Sequence, residues 1–320
     1  MPLVAKSSYR APWYLVNGHL ETIVPSMVRK IEGVTYDRER LELSDGDFID
    51  LDWLKNKSNE LIIIAHGLEG NSDRHYSKGM GKYFFQRGWN ALAWNCRSCS
   101  GEMNRLPRFY HHGATEDLAE LIAHVIAKKQ YEKIVLAGFS MGGSMTLKYL
   151  GEQRQLPKEI KAGVVFSVPC HLGSSAKELD KPSKKFYLNR FLKKLGKKIK
   201  VKSELFPDRI SHHGYEAITT FEEFDNRYTA PLHGFKDADD FYQRASSLNY
   251  LSTITRPTLI VNALNDPFLP PLCFPIEIAK DHSHLFLETP ERGGHTGFTL
   301  AGKKENWMEV RAFEFISQQL

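Results

Sequence analysis

Ser140 stands at the centre of Gly138-Phe139-Ser140-Met141-Gly142-Gly143, a Gly-x-Ser-x-Gly pattern. Lys-Ile-Val-Leu-Ala before it reads as a strand, and Ser-Met-Thr-Leu-Lys-Tyr-Leu-Gly after it reads as a helix. A chain that reverses from strand to helix within a few residues holds the serine in a strained backbone conformation. Its hydroxyl then stands clear of the sheet's carboxyl edge, and the helix N-terminus favours developing negative charge there. A serine hydroxyl is a weak nucleophile at neutral pH and needs a base. Histidine suits, because its ordinary pKa lies near 7.

Thirteen histidines are available. The base is expected in the loop after the last strand, where His295 lies in Arg292-Gly293-Gly294-His295-Thr296-Gly297. The glycines let its imidazole approach the serine turn. His282 and His284 fall around the last strand itself. His111, His112, His212, His213 and His233 fall in loops and read as solvated or structural, with one of them bordering a pocket. The imidazole in turn needs a carboxylate to fix its tautomer. Asp266 follows the strand Thr-Leu-Ile-Val-Asn, one strand before the histidine loop, and completes the order Ser, Asp, His. An aspartate before proline is also a common turn device. Asp281 is the second choice, less well placed because it precedes a strand.

An oxyanion needs two donors. The run Leu-Ile-Ile-Ile-Ala passes directly into His66-Gly67-Leu68-Glu69-Gly70, and the backbone N–H groups of Leu68 and Met141 are the expected pair. Each such donor contributes on the order of 3 kcal/mol to an acyl-transfer transition state. His66 is expected to support this turn by hydrogen bonding. With Gly67, Phe139 and Phe268 it is also expected to border the substrate.

Further elements must position these groups. Residues 40–43 and 48–54 alternate around Ser44-Asp45-Gly46-Asp47, a hairpin signal. Residues 61–65 are apolar throughout, as in a strand buried on both faces. Strands follow at 90–94, 133–137, 161–167, 258–262 and 284–287. Helices are expected at 76–87, 115–128, 141–152, 274–279 and 305–318. Residues 115–128 carry Leu118, Leu121, Ile122, Val125 and Ile126 on one stripe. Between about 172 and 248 the pattern turns polar, aromatic and irregular. A hairpin followed by strand–helix units predicts an α/β fold: an eight-stranded, mostly parallel sheet flanked by helices, with a cap-like insertion after strand six. The core is expected to comprise 1–171 and 248–320, and the insertion 172–247.

Bulk properties agree with this reading. The 320 residues suffice for one large core with an insertion. Four cysteines, Cys96, Cys99, Cys170 and Cys273, are too few for a disulfide scaffold and suit a reducing compartment. Cys96 and Cys99 offer two of the four ligands of a structural zinc site, and no second pair follows, so packing of a loop is the expected role. No export signal or membrane-spanning run is apparent, and the expected location is cytoplasmic. The net charge of +5 comes with no nucleic-acid-binding signature. No repeat or low-complexity tract is found. The chemistry needs no metal or organic cofactor.

Together His66-Gly67-Leu68-Glu69-Gly70, the serine motif, Asn265-Asp266-Pro267 and Gly293-Gly294-His295 make the chain resemble an α/β-hydrolase over nearly its whole length. More narrowly it resembles the AB-hydrolase-4, or YheT-like, group. That match rests on Asn17-Gly18-His19-Leu20-Glu21-Thr22-Ile23, on Asn95-Cys96-Arg97-Ser98-Cys99-Ser100-Gly101-Glu102, and on the insertion segment from Phe224-Asp225-Asn226-Arg227 to His233-Gly234-Phe235. The resemblance implies a carboxylic-ester hydrolase with Ser140, Asp266 and His295 in charge relay. Some eukaryotic relatives act on medium-chain fatty-acid esters or phospholipid acyl chains, and some pass the acyl group to an alcohol.

The expected substrate is therefore a small-molecule or lipid-like ester. Insertion aromatics such as Phe186, Phe191, Phe221, Phe224 and Tyr228 are expected to line an acyl pocket or to pack the insertion's own core. In the basic stretch 184–202, Phe186, Phe191, Leu192 and Leu195 fall together on a helix. That helix reads as a solvated face, a lid, or a surface resting on anionic lipid. An acyltransferase and a haloperoxidase-like or carbon–carbon hydrolase share these residues, and a non-catalytic small-molecule binder on the same fold is the alternative of another class. Oligomeric state is not readable.

Overall fold

A computed structural model describes residues 3–320. Its first helix is α1 (Gly18–Val28). Eight strands make one sheet: β1 (Asp37–Glu42), β2 (Phe48–Leu54), β3 (Glu60–Ala65), β4 (Asn90–Asn95), β5 (Lys133–Phe139), β6 (Ile160–Phe166), β7 (Thr258–Val261) and β8 (Leu285–Glu288). Their order is β1-β2-β4-β3-β5-β6-β7-β8. The β1–β2 and β2–β4 pairs are antiparallel, and the other neighbours are parallel. The expected hairpin opens the sheet, with Gly46 at φ +84° and Leu43 N–H donating to Asp47 O at 2.8 Å.

The central strands are buried on both faces, as their continuous apolar runs require. On β3, Leu61, Ile63 and Ala65 enter one core while Ile62 and Ile64 enter the other. On β5, Ile134 and Leu136 face the first core, and Val135, Ala137 and Phe139 the second. Helices α2 (His75–Phe85), α3 (Thr115–Ala127) and α4 (Met141–Gly151) follow in the chain. The stripe on α3 packs as expected, with Leu118, Leu121, Ile122 and Val125 buried.

Between β6 and β7 the helix expected in the basic stretch 184–202 is present, and the rest of the segment, expected to be irregular, is largely helical as well. The segment contains α5 (Leu172–Leu179), α6 (Lys185–Leu205), α7 (Phe221–Phe224), a π-helical turn (Asp225–Thr229), α8 (Ala230–His233) and α9 (Ala238–Ala245). Leu179 of α5 and side chains of α6, α7 and the π-helical turn form a separate apolar cluster that Phe268 and Cys273 join from the loop after β7, and Leu172 forms a second, smaller one with Phe241 and Tyr242 of α9. On α6, Leu188, Leu192 and Ile199 are buried, so the apolar stripe is turned into the fold. Its outward side carries lysines, Arg190 and Phe186, which is 61% exposed. The chain closes with α10 (Ile276–Lys280) and α11 (Trp307–Gln319), whose N-terminus has a capping box of Asn306 and Glu309. Side chains of α2 and α11 fill one core, those of α3 and α4 the other. Among the described residues no helix is long and apolar enough to cross a membrane.

Candidate active site

Strand order puts the chemistry in one corner. Ala65 pairs with Gly138, so the turns after β3 and β5 emerge side by side. The loops after β7 and β8 arrive from the same carboxyl edge, where open α/β sheets bind ligands. Ser140 adopts φ 53°, ψ −118°, a left-handed conformation unusual for a residue with a Cβ. Its N–H is held by Phe166 O at 2.9 Å. The turn demands glycine at 142, where a Cβ would lie 2.3 Å from Ala65 O.

Ser140 Oγ lies 2.9 Å from His295 Nε2, and His295 Nδ1 lies 2.8 Å from Asp266 Oδ2 and 3.1 Å from Oδ1. The structure thus brings together the three side chains singled out by sequence. Asp266 is positioned by Phe268 N–H, which donates to Oδ1 at 2.8 Å. Phe268 stacks on the imidazole of His295 at 4.0 Å between centroids. Asp281 ends α10 as its C-cap residue and takes no part.

The turn after β3 approaches the serine closely: a Cβ on Gly67 would lie 3.2 Å from Ser140 Cβ. Among the described residues neither Leu68 N–H nor Met141 N–H donates to a protein acceptor. Two free donors beside the hydroxyl can receive developing negative charge. Leu68 and Phe268 line the cavities that open on Ser140, and Gly67 lines one of them.

Two expected substrate contacts are corrected. Phe139 points to the far face of the sheet, stacked on Phe166 at 5.6 Å and tilted against Tyr76 at 4.6 Å. Strand alternation turns it away from the site although it adjoins Ser140. His66 is buried behind the turn. Its Nδ1 donates to Gly67 O at 2.8 Å and its Nε2 accepts Cys96 N–H at 3.1 Å. Burial pushes its pKa down to about 4. The neutral ring is a strut for the turn, and it lines neither cavity.

Sequence reasoning did not foresee the clamp built by α1. Asn17 caps this helix, accepting Leu20 N–H at 2.9 Å. Thr22 Oγ1 accepts His295 N–H at 2.9 Å. The buried Glu21 accepts from Gly293 N–H at 2.9 Å and from Asn265 Nδ2 at 2.7 Å, and Arg292 lies 2.8 Å from its second oxygen. Asn265 Oδ1 accepts Gly294 N–H at 3.1 Å. One helix thereby ties the Asp266 loop to the His295 loop. The contact is close enough that Gly294, at φ +58°, would drive a Cβ to 2.8 Å from Glu21 Cβ. The motif Asn17-Gly18-His19-Leu20-Glu21-Thr22 was visible, but its partners lie more than 240 residues away.

The arginine–cysteine loop is a second brace. Arg97, 1% exposed, forms a two-pronged pair with Asp117 at 2.7 and 2.8 Å and reaches Asp47 at 2.8 Å. It locks the loop after β4 to α3 and the hairpin. Cys96 and Cys99 are unpaired and buried, with thiol pKa values raised by burial. No metal-ligand cluster occurs among the described residues.

Two cavities meet at Ser140 and His295. The larger, about 1060 Å³, runs beneath the segment between β6 and β7 and is walled by side chains such as Leu172, Leu179, Phe191, Phe221 and Phe224. It also meets three of the loop histidines, His111, His112 and His233, where sequence suggested one. Burial depresses all three pKa values. The smaller cavity, about 790 Å³, opens between α1 and α6.

Residues 60–301 match the family described as the alpha/beta hydrolase fold. The chain is 31% identical to YheT of Escherichia coli (strain K12), over 95% of this chain and 91% of that protein. It is 29% identical to Phospholipase ABHD3 of Mus musculus, over 93% of this chain and 74% of that one. Among solved structures, an esterase from Pyrococcus furiosus superposes with a TM-score of 0.61 at 17% identity, covering 91% of this chain and 96% of that one.

Proposed function

The chain belongs to the α/β-hydrolase family, in its YheT-like group, and from that premise we propose that it hydrolyses carboxylic esters of short- or medium-chain acyl groups, with Ser140 as nucleophile, His295 as base and Asp266 as orienting carboxylate. One observation carries the reading: the unbroken series from Ser140 Oγ through both ring nitrogens of His295 to Asp266, at 2.9 and 2.8 Å. That arrangement serves to make a serine nucleophilic.

The geometry supports the following cycle. Ser140 Oγ attacks the ester carbonyl as its proton passes to His295 Nε2. Asp266 stabilises the imidazolium through Nδ1. The oxyanion rests on the N–H groups of Leu68 and Met141. His295 protonates the leaving alcohol, then takes a proton from water as the water oxygen attacks the acyl-enzyme carbonyl; collapse breaks the bond to Ser140 Oγ, which recovers the proton from His295 as the acid leaves. Residues 172–247 act as a cap whose larger cavity takes the acyl chain, and residues 1–171 and 248–320 supply the chemistry.

A chain-length series of p-nitrophenyl esters, with wild type and Ser140→Ala side by side, tests this. The variant should lose about 10⁶-fold in kcat. A fluorophosphonate should label Ser140, read by peptide mass spectrometry. Equal rates in the two proteins, or a label on another residue, would overturn the assignment. Added alcohol reveals any acyl transfer as a new ester product.

A further inference from the structure

An ester has two halves, and two cavities meet at Ser140. The larger is apolar enough for an acyl chain. The smaller differs in charge: Arg74, Arg190 and Lys194 line it, and no Asp or Glu does. Among the described residues none of these three cations pairs with a carboxylate. Arg74 and Lys194 share a single partner, the carbonyl oxygen of Glu69, at 2.8 and 3.1 Å. The Glu69 carboxylate is committed elsewhere, to Lys198 and Tyr110 at 2.7 and 2.6 Å. Arg190 is exposed at the rim. Burial first, and then Arg74, pull the Lys194 ammonium down to about 8. This is a pocket short of an anion.

We propose that the alcohol half of the ester carries a phosphate monoester, held by Arg74, Arg190 and Lys194 while the acyl chain occupies the larger cavity. The assignment rests on Ser140 being the esterolytic nucleophile. Arginine forks match phosphate oxygens in pairs, and a flexible lysine adds a point charge. A quaternary ammonium beyond the phosphate meets three like charges and no carboxylate, so a phosphocholine ester is the poorer substrate.

The test compares three monomeric esters sharing one octanoyl chain: octanoylglycerol, octanoylglycerol phosphate and octanoylglycerophosphocholine. It is read as ratios of kcat/KM, so that a general loss of activity cancels. Wild type should favour the phosphate over the neutral ester by roughly 10- to 100-fold. Arg190→Gln and Lys194→Gln should each lower that ratio several-fold, and the double variant should bring it near one. Inorganic phosphate should inhibit wild type competitively and the double variant weakly. A wild-type ratio near one, or a ratio untouched by the double variant, overturns the subsite while leaving esterase activity intact. Failure to cleave any of the three, with Ser140→Ala indistinguishable from wild type, would instead remove the esterase reading beneath it. The same phosphate ester is also presented in neutral and anionic vesicles. A variant defect seen only on anionic vesicles assigns the cations to a membrane surface and overturns the subsite.

Discussion

At the carboxyl edge of the sheet, several residues that are not glycine hold positive φ, among them Glu69 at 54°, Ser140 at 53°, Ser167 at 54° and Thr296 at 55°. Across residues 172–247 positive φ is confined, among the described residues, to Gly214 and Gly234. The first region keeps strained backbone, at about 1–3 kcal/mol per residue, because surrounding hydrogen bonds over-determine it. Ser140 N–H is held by Phe166 O, Thr296 N–H by Ser167 Oγ and Glu69 N–H by Tyr110 OH. The second region is relaxed helix whose side chains shape a cavity. On the proposed reading, backbone geometry fixes where atoms react, while side-chain packing fixes what fits. The two regions should respond differently to substitution.

The largest expected effect lies in the strained corner. Asp266→Asn should cost about 10⁴ in kcat with little change in melting temperature, because the geometry survives while the tautomer is wrong. A loss below tenfold would break the assignment of this carboxylate. Glu21→Ala comes next, with kcat falling about 10²-fold as the His295 and Asp266 loops drift apart. It should also cost about 1–3 kcal/mol of stability, because Gly293 N–H and Asn265 lose their acceptor. Glu21→Gln keeps that acceptor and should recover most of kcat, an outcome that separates positioning from bulk stability.

In the relaxed region the effects shrink. Phe224→Ala enlarges the larger cavity and should shift the chain-length optimum upward, changing the ratio of longer to shorter esters by roughly tenfold. An unchanged ratio would place the acyl chain elsewhere. Asp225→Asn should give the smallest effect, and one that depends on pH. Burial raises this carboxyl to about 6 despite hydrogen bonds from Thr229 and Tyr242. A folded pKa above the unfolded one costs stability above that pKa, and the cost vanishes as pH falls below the unfolded value. The variant should therefore gain melting temperature over wild type between about pH 4 and pH 7, by a few degrees. A difference flat across that range would show that burial does not lift this carboxyl above its unfolded value.

The same division governs what could be read from sequence. Strand β3 announced itself because five apolar residues in a row, three of them isoleucine, are too short a run for a helix and suit a strand covered on both faces. Ser140, Asp266 and His295 were legible because each closes a strand signal with turn chemistry. Helix α1 was not: Pro25 lies inside it, and Met27 and Val28 stand 71% and 66% exposed, so no apolar stripe marks it. Glu21 was hidden because its partners are remote in sequence. Phe139 and His66 were misplaced by treating sequence adjacency as spatial adjacency, although the alternation of Val135, Ala137 and Phe139 carried the answer. Apart from α6, the helices between β6 and β7 were obscured because their aromatics serve local clusters and the cavity wall together, which blurs the helical period.

The grip on Glu69 has an engineering consequence. Its carbonyl is held by Lys194 and its carboxylate by Lys198, both from α6, and it directly follows one of the two residues whose N–H would cradle the oxyanion. Trimming residues 172–247 to make a smaller enzyme would unbolt that cradle along with the roof. Chimeras that exchange this segment for another specificity should therefore graft in both lysines at the same helical spacing, or they will inherit a new pocket with a slack catalytic turn.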